Sequence, residues 1–121
     1  MEFINNVPIY VQVIDDIKRD IVNGILPMGG KMPSSRELAL KYKINPNTSS
    51  RIYREMEAEG ICFTKRGLGT FVTEDKETVV RIREKMAEDF INSFIQGMKG
   101  LGFTREELNH LISIKYGEGG A

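Results

Sequence analysis

The chain has 121 residues, of which 28% are charged and 40% apolar, enough for one compact domain plus a small appendage. Seventeen Lys and Arg balance seventeen Asp and Glu, so the bulk charge argues neither for nor against a nucleic-acid partner. The single cysteine, Cys62, excludes an internal disulfide, and no apolar run is long enough to span a bilayer.

Residues 1–7 read as a loose arm or a short extended segment. The opening MEFINNVPIY lacks the positive region and apolar core of a signal peptide, and a lone cysteine fits a reducing cytoplasm, the expected location. Pro8 opens a helix to about Asn23, with Ile9, Val13, Ile14, Ile17 and Ile21 at helical spacing, and Gly24 ends it. Residues 25–32 form a connector rich in Gly and Pro, in which Lys31-Met32 is a candidate short strand.

Two short helices follow. Ser34 and Glu37 form a capping box, and Leu38, Ala39 and Tyr42 share one face behind it. Asn45 can cap the next helix, with Pro46 at its first position. Ile52, Tyr53 and Met56 give that helix an apolar stripe, and Gly60 suits the left-handed residue beyond its end. This is a helix-turn-helix pattern whose second helix is polar at its start. Asn47 can pair with an adenine edge, and Thr48, Ser49 and Ser50 can contact bases or phosphates. Arg36, Arg51 and Arg54 supply cations nearby. Between Ser34 and Arg66 there are seven Lys or Arg against four Glu, whereas from Glu74 onward acids outnumber bases nine to seven. The candidate DNA-binding set is therefore Ser34, Arg36, Asn45, Asn47, Thr48, Ser49, Arg51, Lys65, Arg66 and Gly67.

Beyond Gly60 the period shortens. Ile61 to Lys65 and Thr70 to Thr73 are strand-like runs around Arg66-Gly67-Leu68-Gly69, a hairpin that would form a wing with Lys65 and Arg66 at its tip. Cys62 falls within the first run and is read as core filler. An acidic stretch, Glu74 to Glu77, then opens a long helix to about Lys99. Its apolar positions form a band wider than one face requires. Gly97, Gly100 and Gly102 mark its end, Thr104 and Glu107 form a second capping box, and residues 116–121 are expected to be disordered. A monomer would leave much of that band in water. The candidate dimerisation set is Val79, Ile82, Met86, Phe90, Ile91, Phe94, Ile95, Met98, Leu108, Leu111 and Ile112.

Catalytic chemistry has no foothold. His110 is the one histidine and has no cysteine beside it, and no nucleophile elbow, phosphate loop or paired-cysteine motif occurs. No catalytic residue, metal ligand or cofactor is assigned, and an enzyme is not expected. The alternative to DNA binding is a winged helix serving as a protein-interaction module; the charge along the turn, second helix and wing favours DNA.

PIYVQVIDDIKRDIVNGIL, MPSSRELALKYKINPNT, YREMEAEGI and KRGLGTFV, taken together over residues 8–72, resemble the GntR family of bacterial transcription regulators. NPNT with a short two-helix tail is similar to the YtrA-type branch. The resemblance implies a mainly α fold with a small β-hairpin: a winged helix-turn-helix DNA-binding domain over 1–73 and a two-helix dimerisation module over 74–121. It implies DNA contacts from Arg36, from Asn47 and Thr48, and from Arg66 with Gly67 in the wing. The leading reading is a homodimeric repressor on an inverted-repeat operator, with no membrane partner. Many relatives carry Arg where Pro46 and Ser50 stand, so their base readout does not transfer. Ser49-Ser50 likewise replaces the more apolar step expected in this branch. A tail of about 48 residues is too short for an independent metabolite-binding core, and no small-molecule effector is assigned.

Overall fold

In the computed structural model, which describes residues 1–118, every helix after the first begins with a side-chain cap. Helix α1 (Ile9–Val22) starts behind Pro8 and buries Val13, Ile14, Ile17 and Ile21. The arm before it is better ordered than expected. Gln12 accepts from the Ile4 backbone N–H at 3.0 Å and donates to the carbonyls of Ile4 and Val7 at 2.9 and 2.8 Å, as a neighbouring strand would.

Helix α2 (Ser35–Tyr42) has both halves of the expected capping box. Ser34 Oγ accepts from Glu37 N–H at 3.1 Å, and Glu37 Oε1 accepts from Ser34 N–H at 2.9 Å. Lys43 leaves the helix in the left-handed region at φ 56°. Helix α3 (Pro46–Ala58) follows three residues after α2 and buries Ser49, Ile52, Tyr53 and Met56. It closes through Gly60 at φ 75°, with Gly60 N–H donating to Glu57 and Ile61 N–H to Met56, the double bond of a Schellman end. Leu38, Ile52, Met56, Ile61, Val13, Ile17 and Val72 are the fully covered apolar side chains of this core. Each contributes roughly 1.5–3 kcal/mol relative to exposure.

Strands β1 (Cys62–Lys65) and β2 (Gly69–Val72) pair antiparallel, with Cys62 opposite Val72 and Lys65 opposite Gly69. The connector is held against β2 without forming a full strand. It makes one isolated bridge, Lys31 to Phe71, with Met32 N–H donating to Thr70 at 2.7 Å and Val72 N–H to Gly30 at 2.8 Å.

Helix α4 (Lys76–Gly100) is capped by Asp75, whose carboxylate accepts from Glu77 N–H at 3.0 Å. Gly102 at φ 84° turns the chain out of it. Helix α5 (Arg105–Glu118) opens with the second capping box, Thr104 and Glu107 bonding reciprocally. It continues through Tyr116, Gly117 and Glu118, where disorder was expected; the rest of that stretch, 119–121, lies outside the described residues. The chain divides into two compact units, Met1–Glu84 and the residues from Lys85 on. Thr78 and Ile82, in the first turns of α4, belong to the first unit and are buried.

Candidate nucleic-acid interface

Asn45 Oδ1 accepts from Asn47 N–H at 2.7 Å, which uses the side-chain oxygen of Asn45 to start α3 and leaves its NH2 group as a donor. Helical geometry then puts Asn47, Arg51 and Arg54 on one face, opposite the buried Ser49, Ile52, Tyr53 and Met56. All three are exposed, while Thr48 and Ser50 are half-buried at the edges. Arg36 is exposed on α2. Among the described residues the side chains of Arg36, Arg54 and Arg66 take part in no hydrogen bond or ion pair.

Two side chains fix this face from behind. Tyr42 donates to Asp16 Oδ2 at 2.7 Å, tying α2 to α1, and Tyr53 donates to the Pro33 carbonyl, tying α3 to the residue ahead of the Ser34 cap. Burial raises both phenols well above their ordinary range, reinforced at Tyr42 by the Asp16 carboxylate, so both remain donors at any physiological pH. Burial likewise pushes the Cys62 thiol up to about 12, which leaves it un-ionised and inert.

Ser49 requires a correction. It has no exposed surface and its hydroxyl donates to the Ser35 carbonyl. That proton being committed, Ser35 Oγ is the donor in its 3.1 Å contact with Ser49 Oγ. Ser50, 3.3 Å from Ser35 Oγ, then donates inward as well. The three hydroxyls seam α2 to α3, so Ser49 holds the helix pair together and reaches no ligand. Ser34 is committed to its cap in the same way, with only its own O–H left to give.

The wing is anchored by Thr64, which donates to Glu57 on α3. At its tip Leu68 N–H donates to the Lys65 carbonyl at 2.9 Å. Gly67 stands at φ +79° in that turn while Arg66 keeps a negative φ, the arrangement of a type II turn. No neighbouring atom lies within 4 Å of where a Gly67 Cβ would be, so the backbone angle alone selects glycine. Phe63 and Phe71 stack across the strands at 6.0 Å, and Lys65 Nζ lies over them, 5.0 Å from the Phe71 ring centre. Arg66 extends the charge to the exposed tip.

Arg51 is the most constrained cation of the set. Its Nε donates to Glu55 Oε1 at 3.1 Å and its guanidinium lies over the Tyr10 ring, 3.8 Å from the centre. The Glu55 pairing is readable from i, i+4 spacing. Tyr10 and Ser35 carry no local signal for their roles, since their partners come from other elements.

In the tail, Phe90, Ile91 and Phe94 are exposed along α4, as are Leu101 just beyond its end and, on α5, Ile112. Val79, Met86, Ile95, Met98 and Leu111 are half-buried. Ile82 and Leu108 are covered by their own chain and do not belong to a surface that a partner could meet. Among the described residues no helix is long and apolar enough to cross a membrane.

A helix-turn-helix with an exposed polar and cationic face, continued by a hairpin with a cationic tip, defines a winged-helix DNA-binding protein. The family described as bacterial regulatory proteins, gntR family, matches residues 9–72, and the chain belongs to it: it is a DNA-binding transcriptional regulator. It is 43% identical over 120 residues to the uncharacterized HTH-type transcriptional regulator YhcF of Bacillus subtilis, covering 98% of each chain. It is 38% identical over 109 residues to the HTH-type transcriptional repressor YtrA of the same organism, covering 89% of this chain and 84% of YtrA. Among solved structures, a GntR family transcriptional regulator from Listeria monocytogenes superposes with a TM-score of 0.85 at 36% identity, covering 92% of this chain and 97% of that one.

Proposed function

We propose that this regulator is a cytoplasmic, homodimeric repressor that binds an inverted-repeat operator and carries out no catalysis. The observation that carries the reading is the face formed by Asn47, Arg51 and Arg54, exposed on a helix whose opposite side is wholly buried. Residues 1–73 act as the DNA-binding domain and 74–121 as the dimerisation tail. Asn47 and Thr48 read bases. Arg36, Lys65 and Arg66 meet phosphates or an adjacent groove, and Gly67 lets the wing backbone approach. Asn45 and Ser34 organise the two helix starts. Repression is carried over from the name of YtrA, a relative of nearly the same length.

The apolar surface of Phe90, Ile91, Phe94 and Ile112 supports a second copy as the partner, because each such side chain left in water costs roughly 1.5–3 kcal/mol relative to burial. Two-fold pairing also sets two reading helices on half-sites at a fixed spacing. Electrophoretic retardation of DNA from upstream of its own gene, against unrelated DNA at a stated salt concentration, tests the reading. Retardation that unrelated DNA fails to compete away is expected. Failure to retard any duplex at low salt overturns it.

A further inference from the structure

Of the two cations on α3, the Arg54 side chain makes no hydrogen bond or ion pair among the described residues, whereas that of Arg51 is held from two sides. An Arg guanidinium is a planar fork with five N–H donors. Glu55 takes the Nε edge at 3.1 Å, and the guanidinium carbon lies over the Tyr10 ring, 3.8 Å from its centre. Neither contact uses the two terminal nitrogens, and half of the side chain remains exposed. A surface arginine ordinarily samples many rotamers and loses that freedom on binding. Here the plane of the fork is set beforehand.

The position of that fork decides what it suits. Arg51 lies four residues beyond Asn47, on the same side of α3 and one helical turn along, a spacing that would bring the two side chains to neighbouring base pairs of a bound duplex. A fork of fixed plane matches O6 and N7 of a guanine edge, where two parallel bonds must form together. A phosphate also takes such a fork bidentately, so it is the place of Arg51 one turn along from Asn47 that favours a base edge.

We propose that Arg51 reads a guanine beside the base read by Asn47, and that Tyr10, on α1, is the residue that positions it, with Glu55 fixing the second edge. This rests on α3 being the reading helix, and it gives the first turn of α1 a part in sequence discrimination.

The test uses the intact protein and duplexes that it selects from a randomised pool, measured at several salt concentrations beside thermal unfolding of each variant. Arg51→Lys keeps the charge and loses the fork. It is expected to relax one guanine position by about five- to a hundredfold while other positions hold. Tyr10→Leu should relax the same position by a smaller factor, Tyr10→Phe should not, and in an Arg51→Lys background Tyr10→Leu should add nothing. Should Arg51→Lys leave every base preference unchanged, or weaken all sequences alike, the guanine assignment is overturned. If Tyr10→Leu lowers stability without touching base preference, the positioning role is overturned and Arg51–Tyr10 is a strut between helices. Enrichment of no sequence at all would instead overturn the DNA-reading function itself.

Discussion

Gly67 adopts φ +79° with open space around its missing side chain, so a substitution there strains the wing turn without disturbing the core. Gly67→Val should lower DNA affinity while circular dichroism and thermal unfolding stay close to the parent; unchanged affinity in the folded variant would remove Gly67 from the interface. Asn47→Ala should cost about 1–3 kcal/mol of discrimination at one base position, seen in competition against single-base operator variants. Equal weakening on operator and random DNA would contradict its base-reading role. Ser49→Ala acts differently. It leaves the Ser35 carbonyl and hydroxyl without their buried partner, so urea unfolding should show a loss of about 1–3 kcal/mol. The burial of Ser49 was present in the sequence as spacing: 49, 52, 53 and 56 fall on one helical face. The polarity of serine masks that period, because a hydroxyl at the start of a helix also suits a ligand contact. The stacking of Arg51 on Tyr10 has no such trace, since 41 positions separate the partners.

Helix starts were readable because their signals are short-range. Ser34 with Glu37, Asn45 with the Asn47 N–H behind Pro46, and Thr104 with Glu107 each place the bonding groups within three residues, and all three caps form as their spacing implied. The end of α5 was misread, for Gly117 and Glu118 extend the helix although glycine costs ~1 kcal/mol there relative to alanine. The connector and the Gln12 clamp depend on contacts that form only after folding. The caps also carry a pH signature. Glu37 is held below its ordinary value, first by the Ser34 backbone N–H and then by the Ser34 hydroxyl. A lowered carboxylate contributes stability that is fully present above its unfolded pKa and lost as pH falls through the folded one. The melting temperature of the parent should therefore fall on acidification through and below the usual carboxylate range by more than that of Glu37→Gln. Parallel melting curves for the two proteins would contradict the assignment.

For the whole molecule, the compact unit Met1–Glu84 contains the helix-turn-helix, the wing and the first turns of α4, including buried Thr78 and Ile82. A fragment ending at Glu84 therefore retains its core and discards the apolar surface of Phe90, Ile91, Phe94 and Ile112. It should sediment as a monomer and bind a single half-site weakly, whereas the full chain should dimerise at micromolar concentration; a dimeric fragment would place the contact elsewhere. Sequence reading by α3 and pairing through the tail meet in one quantity. That quantity is the number of full-length chains on a short duplex carrying the selected inverted repeat, determined by sedimentation equilibrium. Two chains per duplex are expected, and one chain on a duplex cut to a single half-site only at higher protein concentration. One chain per intact inverted repeat at saturation, or equal loading of a scrambled duplex, would contradict this expectation.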